Sequence, residues 1–288
     1  MSLTETITYG FLKLFSKLFR VISHEMRNKF GEALGIFAWK WIPKRQDEAL
    51  KNIRIAFPEK SEADHLDILR NCYRLFMKNA VQFLAFPKSF QEITFTVEGR
   101  EILDRAIAMD KGVIFITGHC GAWELLIAWL GTNGYPFEGV AAEQSNLGAD
   151  KLFREQREYF KVKQIPRSTP IDIIMETLTS KKILGLVSDQ DAGPKGIFVS
   201  FFGKDASTPK GPAVFHLKTG AALIFGTAFY EGRNTFHIQI REIKPETNDV
   251  TAITQSFTYM LEEKIKQYPS QYFWFHRRWK SSRKRESK

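Results

Sequence analysis

The run Gly112-Val113-Ile114-Phe115-Ile116-Thr117-Gly118-His119-Cys120-Gly121-Ala122-Trp123-Glu124 decides how this chain is read. Its first part is a short continuous apolar stretch, as expected of a strand buried on both faces. The segment Trp123 to Leu130 reads as a helix closed by Gly131. An imidazole therefore stands at a strand-to-helix turn, followed at a spacing of five by a carboxylate. On one regular helix, five steps of about 100° would set the two roughly 140° apart. At a turn, Gly118 and Gly121 let the backbone bend, and Glu124 is expected to reach back toward the ring of His119. A carboxylate on one ring nitrogen fixes the tautomer and raises the basicity of the other, as a general base for an alcohol requires. The spacing alone recurs by chance in many proteins. Its weight comes from the strand's carboxyl end, where open α/β sheets build their sites. Cys120 is read as a packing residue, because adjacent side chains point in different directions.

Outward from this stretch, strands and helices alternate. Strands are expected at 94–98, 112–117, 137–142, 183–188, 221–230 and 235–242. Helices are expected at 101–109, 148–160, 171–179 and 252–268. This alternation predicts an α/β fold: a single domain whose central sheet, mostly parallel or mixed, is flanked by helices. Before it, 46–57 and 61–86 read as two helices separated by Pro58 and closed by Pro87, and the apolar 34–42 ends at Pro43. The expected partition is a helical N-terminal extension over 1–93 and an α/β part with a basic tail over 94–288. A chain of 288 residues has room for one large domain or two small ones at about 150 residues each. With two cysteines, Cys72 and Cys120, no disulfide framework is expected, and a reducing compartment fits. The first residues lack a long apolar core ending in a small-residue cleavage site, so no cleavable signal peptide is expected.

The net charge of +10 is concentrated at the two ends. Lys13, Lys17, Arg20, Arg27 and Lys29 stand against Glu25 alone, and Arg277, Arg278, Lys280, Arg283, Lys284, Arg285 and Lys288 against Glu286 alone. Basic ends on a neutral body imply attraction to an anionic surface. Phe11, Leu14, Phe15, Leu18, Val21 and Ile22 recur at helical spacing beside Lys13, Lys17 and Arg20. Charge interrupts the segment too often for a span of about 20 apolar residues. It reads as a helix lying in a membrane interface, with an ordinary core-packed amphipathic helix as the alternative. No stacking motif or recognition helix accompanies the charge, which argues against nucleic acid.

Two further clusters stand out. Ser188-Asp189-Gln190-Asp191-Ala192-Gly193-Pro194-Lys195 again follows a strand, and its carboxylates read either as site groups or as turn caps. Metal ligation by His119, Glu124, Asp189 and Asp191 would be a mixed oxygen and nitrogen set without tight spacing, an unspecific signal. Asn146, Lys151, Arg154 and Arg157 form a solvated face or a fork for phosphate or carboxylate groups.

Together these pieces resemble the lysophospholipid acyltransferase superfamily, in its branch of late, Kdo-dependent bacterial lipid A biosynthesis acyltransferases. The resemblance is carried by Gly118-His119-Cys120-Gly121-Ala122-Trp123-Glu124, by Asp189 to Lys195, and by Phe201-Phe202-Gly203. Thr208-Pro209-Lys210-Gly211-Pro212-Ala213 and Tyr272-Phe273-Trp274-Phe275-His276-Arg277-Arg278-Trp279-Lys280 complete it, in the family's order. The resemblance implies a fold like that of glycerol-3-phosphate acyltransferase. It also implies transfer of a fatty acyl chain from an acyl carrier protein thioester or acyl-CoA to a hydroxyl of a lipid A precursor. A phosphatidylinositol mannoside is the alternative acceptor, and a non-catalytic lipid-binding protein of the same fold the alternative role. In this reading His119 deprotonates the hydroxyl and Glu124 orients the imidazole, with neither metal nor cofactor. Arg154 and Arg157 meet the acceptor's anionic groups, and Asp189, Gln190 and Lys210 lie near it. The implied location is the cytoplasmic face of the bacterial inner membrane, peripheral or with one N-terminal anchoring helix. Gly118, Ala122 and Glu143-Gln144-Ser145-Asn146-Leu147 depart from the residues common in relatives, and the last of these bears on the acceptor's identity.

Overall fold

The structure, a computed structural model, describes residues 1–43 and 45–286. Lys288, counted above in the basic end, lies outside the described residues.

In chain order come α1 (Leu3–Val21), α2 (His24–Trp41), α3 (Gln46–Ala56), α4 (Glu62–Leu84), the short α5 (Lys88–Gln91), β1 (Thr94–Glu98) and α6 (Arg100–Ala108). Next are β2 (Val113–Thr117), α7 (Trp123–Thr132), β3 (Phe137–Ala141), α8 (Leu147–Glu158), β4 (Lys163–Pro166), α9 (Ile171–Thr179) and β5 (Ile183–Val187). The chain ends with β6 (Ile197–Phe201), β7 (Lys204–Thr208), α10 (Gly211–Thr219), β8 (Ala222–Gly232), β9 (Thr235–Ile243), α11 (Val250–Gln267) and α12 (Lys280–Glu286). Seven strands form one sheet in the order β1-β9-β8-β2-β5-β3-β4, parallel at every step except β8 with β9. β6 and β7 make a separate antiparallel hairpin. The expected mostly parallel α/β sheet is therefore present.

Period-two alternation sorts the central strand between two cores. Ile114 and Ile116 of β2 join Leu184, Leu223 and Phe225 under α9, α10 and α11 through Ile174, Phe215, Ile253 and Phe257. Phe115 joins Phe137, Ile224 and Ile238 under α6 and α7 through Leu103, Leu126 and Trp129. The first of these cores also takes in Ile53 of α3, Leu69 and Tyr73 of α4, and Trp274 of the C-terminal segment. Trp274 is fully buried and its indole N–H donates to Pro269 O at 2.7 Å. Truncating it to alanine should cost about 3–5 kcal/mol.

Both N-terminal helices begin with a serine cap: Ser2 accepts from the Glu5 amide and Ser23 from the Met26 amide. Phe15 and Phe19 of α1, and Ile22 just past its end, turn inward onto α4 with Val81 and Ala85. Arg27, fully buried, ties the two helices together by donating to Phe19 O at 2.9 Å, Ile22 O at 2.6 Å and Gln82 Oε1 at 3.1 Å. Leu3, Ile7, Phe11, Leu14, Leu18 and Val21 of α1 face outward, as do Met26, Phe30, Leu34, Phe37 and Trp41 of α2. The cations of α1 do not form one outward row. Tyr9 donates to Glu155 Oε1 at 2.7 Å, Lys13 pairs with the same carboxylate, and Arg20 donates to Gln156, all on α8. Lys17 remains exposed. Among the described residues, no helix is long and apolar enough to cross a membrane.

The basic C-terminal end is likewise partly built into the body. Arg278 is buried and donates to Ser207 O at 2.7 Å and Thr208 Oγ1 at 2.6 Å. Arg283 pairs with Glu48, and Ser281 donates backbone and side-chain hydrogen bonds to Asp191 at 2.8 and 2.7 Å. Several elements fall outside the expected pattern: α5, β4, the β6–β7 hairpin, α10 and α12. α7 also runs past its expected end. α7 continues through Gly131 to Thr132, because the missing side chain at Gly131 lets Phe160 O come so close that a Cβ there would stand 1.9 Å from it.

Candidate active site

The pairing of β2 with β5 aligns Thr117 with Val187, and Ser188 N donates to Thr117 O at 3.0 Å. Two residues past each end stand His119 and Asp189, so parallel register alone brings them side by side. Asp189 Oδ1 lies 2.8 Å from His119 Nδ1, and its Oδ2 accepts from the His119 backbone N–H at 3.0 Å. One carboxylate thus fixes both the ring and the turn that carries it. An ionised carboxylate only accepts, so Nδ1 holds the proton and Nε2 is left as the basic nitrogen.

The turn itself is held from behind. Gly121 has φ +58°, and a Cβ there would sit 2.0 Å from Ala228 O. Its N–H donates to Gln271 O at 2.6 Å, and Phe273 N donates to His119 O at 2.9 Å. The segment after α11 therefore straps the histidine turn to the sheet. Trp123 and Phe273 flank the imidazole at centroid distances of 5.3 and 6.2 Å.

Glu124 does not make the contact expected of it. It sits in the first turn of α7 and faces α8, where Arg157 donates to both its oxygens, Nε to Oε2 at 3.0 Å and Nη2 to Oε1 at 2.6 Å. A guanidinium fork matches a carboxylate with two parallel bonds, and this outcompetes the ring. The carboxylate on the imidazole is that of Asp189, so the orienting role expected of Glu124 falls to a residue expected near the acceptor. Glu124 still lines the same cleft, and its charge acts on the ring.

The electrostatics follow from these contacts. Burial of His119 disfavours its charged form, but attraction to Asp189, their hydrogen bond and the charge of Glu124 outweigh it, and the imidazole is raised above its ordinary value. Asp189, 2% exposed, is likewise penalised by burial, yet the charge and two hydrogen bonds of His119 hold it below the usual carboxylate range. Burial also opposes charge on Arg157, and Glu124 more than compensates. Burial pushes the Cys120 thiol up, which removes it as a nucleophile.

His119, Trp123, Glu124, Arg157 and Gln190 border a cleft of about 450 Å³ over the carboxyl ends of β2, β5 and β3. Of the other expected binding residues, Asp189 faces the imidazole rather than the cleft. Arg154 pairs with Asp150 at 3.0 Å and stands outside it. Lys210 is exposed between Pro209 and Gly211, both of which line it. Asp191 works as a turn cap, accepting from Gly193 N at 2.8 Å besides Ser281. Among the described residues, no group of three or more His, Cys, Asp or Glu side chains is arranged to hold a metal ion. A second, apolar pocket of about 130 Å³ shares Trp123 and Glu124 with the cleft and runs between α4, α7 and α8, lined by Phe76, Phe83, Phe86, Leu125 and Phe153.

The family model for bacterial lipid A biosynthesis acyltransferases matches residues 3–281 of this chain. The chain belongs to that family. Among its curated relatives is a phosphatidylinositol mannoside acyltransferase of Mycolicibacterium smegmatis, 29% identical over 60% of this chain and 59% of the relative. A protein of the same name from Mycobacterium tuberculosis is 26% identical over 67% of this chain and 62% of its own. The match thus spans about three fifths of the length of these two relatives. The lipid A biosynthesis palmitoleoyltransferase of Escherichia coli K12 is 28% identical over 87% of this chain and 84% of its own.

Proposed function

We propose that this protein transfers a fatty acyl group from a thioester to a hydroxyl of a glycolipid at a membrane surface, a lipid A precursor being the first acceptor to test. The observation that carries the reading is the His119–Asp189 pair, with His119 bordering the cleft, in a chain of this family. The acceptor hydroxyl enters beside Nε2 of His119, which takes its proton as the oxygen bonds to the thioester carbonyl carbon. The tetrahedral intermediate collapses with loss of the C–S bond, and the imidazolium returns the proton to the departing thiolate. Asp189 holds the tautomer and stabilises the imidazolium. No acyl-enzyme is needed. General-base help of this kind is worth about 10²–10⁴-fold, the remainder coming from positioning and from stabilising the oxyanion.

In this reading the apolar pocket beyond Trp123 receives the first part of the acyl chain. Its walls, α4 and α8, are the elements on which α1 packs, so a chain leaving a bilayer on that side has a short apolar path to His119. The outward apolar stripes of α1 and α2 enter the acyl region, and Lys17 meets the headgroups. The expected cytoplasmic face of the inner membrane and the acyl carrier protein or acyl-CoA donor belong to the same proposal.

The test uses purified protein in detergent, radiolabelled acyl thioesters and a Kdo-bearing lipid A precursor, with His119→Ala and Glu124→Ala compared with wild type. Transfer by the wild type, lost with His119→Ala, supports the reading. Thioester hydrolysis without transfer directs the search to phosphatidylinositol mannosides. Folded wild-type protein that binds lipid but neither transfers nor hydrolyses, indistinguishable from His119→Ala, would overturn it in favour of lipid binding alone.

A further inference from the structure

Strand β2 pairs with β8 as far as Ile116 with Phe225, but β8 runs on to Gly232. Over that overhang, among the described residues, the edge of β8 turned toward β2 has no strand beside it, while the other edge stays paired with β9. Backbone groups left on a sheet edge need partners. The histidine turn supplies the first: Ala122 N donates to Ala228 O at 2.8 Å. Two residues on, where the same edge next presents its N–H and C=O, the partner is a side chain. Gln271 Oε1 accepts from Tyr230 N at 2.9 Å, and Gln271 Nε2 donates to Tyr230 O at 2.9 Å. A carboxamide carries the donor and acceptor of a peptide group, so Gln271 takes the place of one residue of a neighbouring strand.

The main chain of Gln271 passes this anchorage on to the active site. Its C=O accepts from Gly121 N at 2.6 Å, and two residues later Phe273 N donates to His119 O at 2.9 Å. The backbone from His119 to Gly121 is thus held by a segment whose own position is set by two bonds to β8. Asn79 of α4 adds a single longer bond, to Gly121 O at 3.2 Å. Gln271 lines neither the catalytic cleft nor the apolar pocket, so its influence on a reaction there runs through His119.

We propose that Gln271 is a positioning residue for acyl transfer at His119. Its carboxamide, docked on the free edge of β8, fixes the histidine turn and with it the approach of the imidazole to Asp189 and to the acceptor hydroxyl. The inference rests on the acyl-transfer reading for the reaction, though not for the geometry. Two neutral hydrogen bonds from a half-buried side chain contribute modestly to stability. Their loss matters more for rate, because displacing a catalytic group by about 1 Å can cost about 10²-fold.

The test compares wild type with Gln271→Met, which keeps the length of the side chain without its hydrogen bonds, and with Leu103→Ala, a core change in α6. The readouts are steady-state acyl transfer in detergent, thermal melting, and the proton NMR signal of His119 Nδ1–H, assigned by its absence in His119→Ala. Gln271→Met should lower kcat about tenfold to a hundredfold with KM within about twofold, and should shift or broaden the Nδ1–H signal. Leu103→Ala should lower the melting temperature at least as much, and leave kcat and the signal unchanged. Unchanged kcat and signal in Gln271→Met, or an equal fall of kcat in Leu103→Ala, would overturn the assignment. Should Gln271→Met not fold, Gln271→Asn, one methylene too short to bridge Tyr230, is read in the same way. Failure of both to fold would make Gln271 a folding residue and overturn the proposal as well. The NMR signal needs no turnover, so a signal that moves in Gln271→Met while the wild type transfers nothing counts against the acyl-transfer reading alone. A wild type that transfers acyl chains no faster than Gln271→Met counts against Gln271 alone.

Discussion

The first two helices leave large apolar side chains in solvent, whereas the cleft at the sheet's carboxyl edge takes charged side chains out of it. On α1 and α2, Phe11, Leu18, Phe37 and Trp41 are each at least half exposed. In the cleft wall, Asp189 is 2% exposed, and Glu124 and Arg157 are largely covered. Each arrangement is unfavourable taken alone. The stripes become favourable against a second apolar phase, which a membrane supplies. The buried charges become favourable when each meets an opposite charge, which the sheet and α8 supply. One region is thus completed from outside the molecule and the other from inside, and substitutions should separate them cleanly.

The largest effect should come from the inside-wired region. His119→Ala removes the base and should lower transfer by about 10²–10⁴-fold, with vesicle binding unchanged in a sedimentation assay. A loss of vesicle binding in that variant would mean that the two regions are one.

Asp189→Asn is next, at about tenfold to a hundredfold in transfer rate, and it has a signature in pH. Catalysis needs neutral Nε2, so the wild-type rate rises as pH climbs through a His119 value raised by Asp189. Without that charge the imidazole is less basic, and the acid limb of the pH–rate profile should move to lower pH while the plateau falls. Stability should change with the matching sign. The raised imidazole contributes stability that is complete below its unfolded value of about 6.5 and is lost as pH rises through the folded one. The lowered Asp189 carboxyl contributes stability above its unfolded value, lost as pH falls through the folded one. Denaturant titrations of the variant across pH should be flatter on both sides. A limb that moves instead with Glu124→Gln would return the orienting role to Glu124.

The same contrast explains what the sequence discloses. Helical amphipathicity is local, so the apolar stripe of α1 is legible from spacing alone, as are the almost uniformly apolar runs of β2 and β5. What spacing does not carry is which strand lies beside which. His119 and Asp189 each stand two residues beyond a buried strand, a common offset visible in the sequence, but only the β2–β5 register makes it a contact. Glu124 is the converse: near in sequence, yet claimed by Arg157 from a helix two elements further along. The missed elements had weaker signals. β4, Lys163-Gln164-Ile165-Pro166, is a short edge strand with one aliphatic residue and a proline. The β6–β7 hairpin was signalled by Phe202-Gly203, both at positive φ, and α10 by Gly211-Pro212 at its first turn.

A mid-sized effect should come from the outward face. Phe11 and Phe37 are 59% and 53% exposed, so replacing both with glutamate leaves the core intact. Full burial of a phenylalanine contributes about 1.5–3 kcal/mol, so even partial insertion implies at least about a tenfold loss of vesicle affinity for the pair. Melting temperature should not fall. If vesicle binding persists in the double variant, the stripe is covered by something other than lipid.

The smallest effect is the most discriminating, because it separates two lysines that the sequence presents as equivalent. Lys13 and Lys17 are one helical turn apart on α1, and spacing alone puts both in the cationic row. The structure divides them: Lys13 closes an ion pair with Glu155, whose other oxygen takes the Tyr9 hydroxyl, while Lys17 is exposed among Leu14, Leu18 and Val21. A lysine in that position lays its stem along the apolar face and carries its ammonium to the headgroups. Near an anionic surface one such charge is worth about 1 kcal/mol, or about fivefold in affinity. Lys17→Gln should lower binding to anionic vesicles by that factor, do so less as salt is raised, and leave binding to zwitterionic vesicles unchanged. Lys13→Gln should leave both unchanged and instead loosen α1 from α8, read as faster amide exchange in α1. Equal losses of anionic-vesicle binding from the two substitutions would mean that α1 leaves α8 when it meets the membrane, and that the ion pair with Glu155 is broken in the bound state.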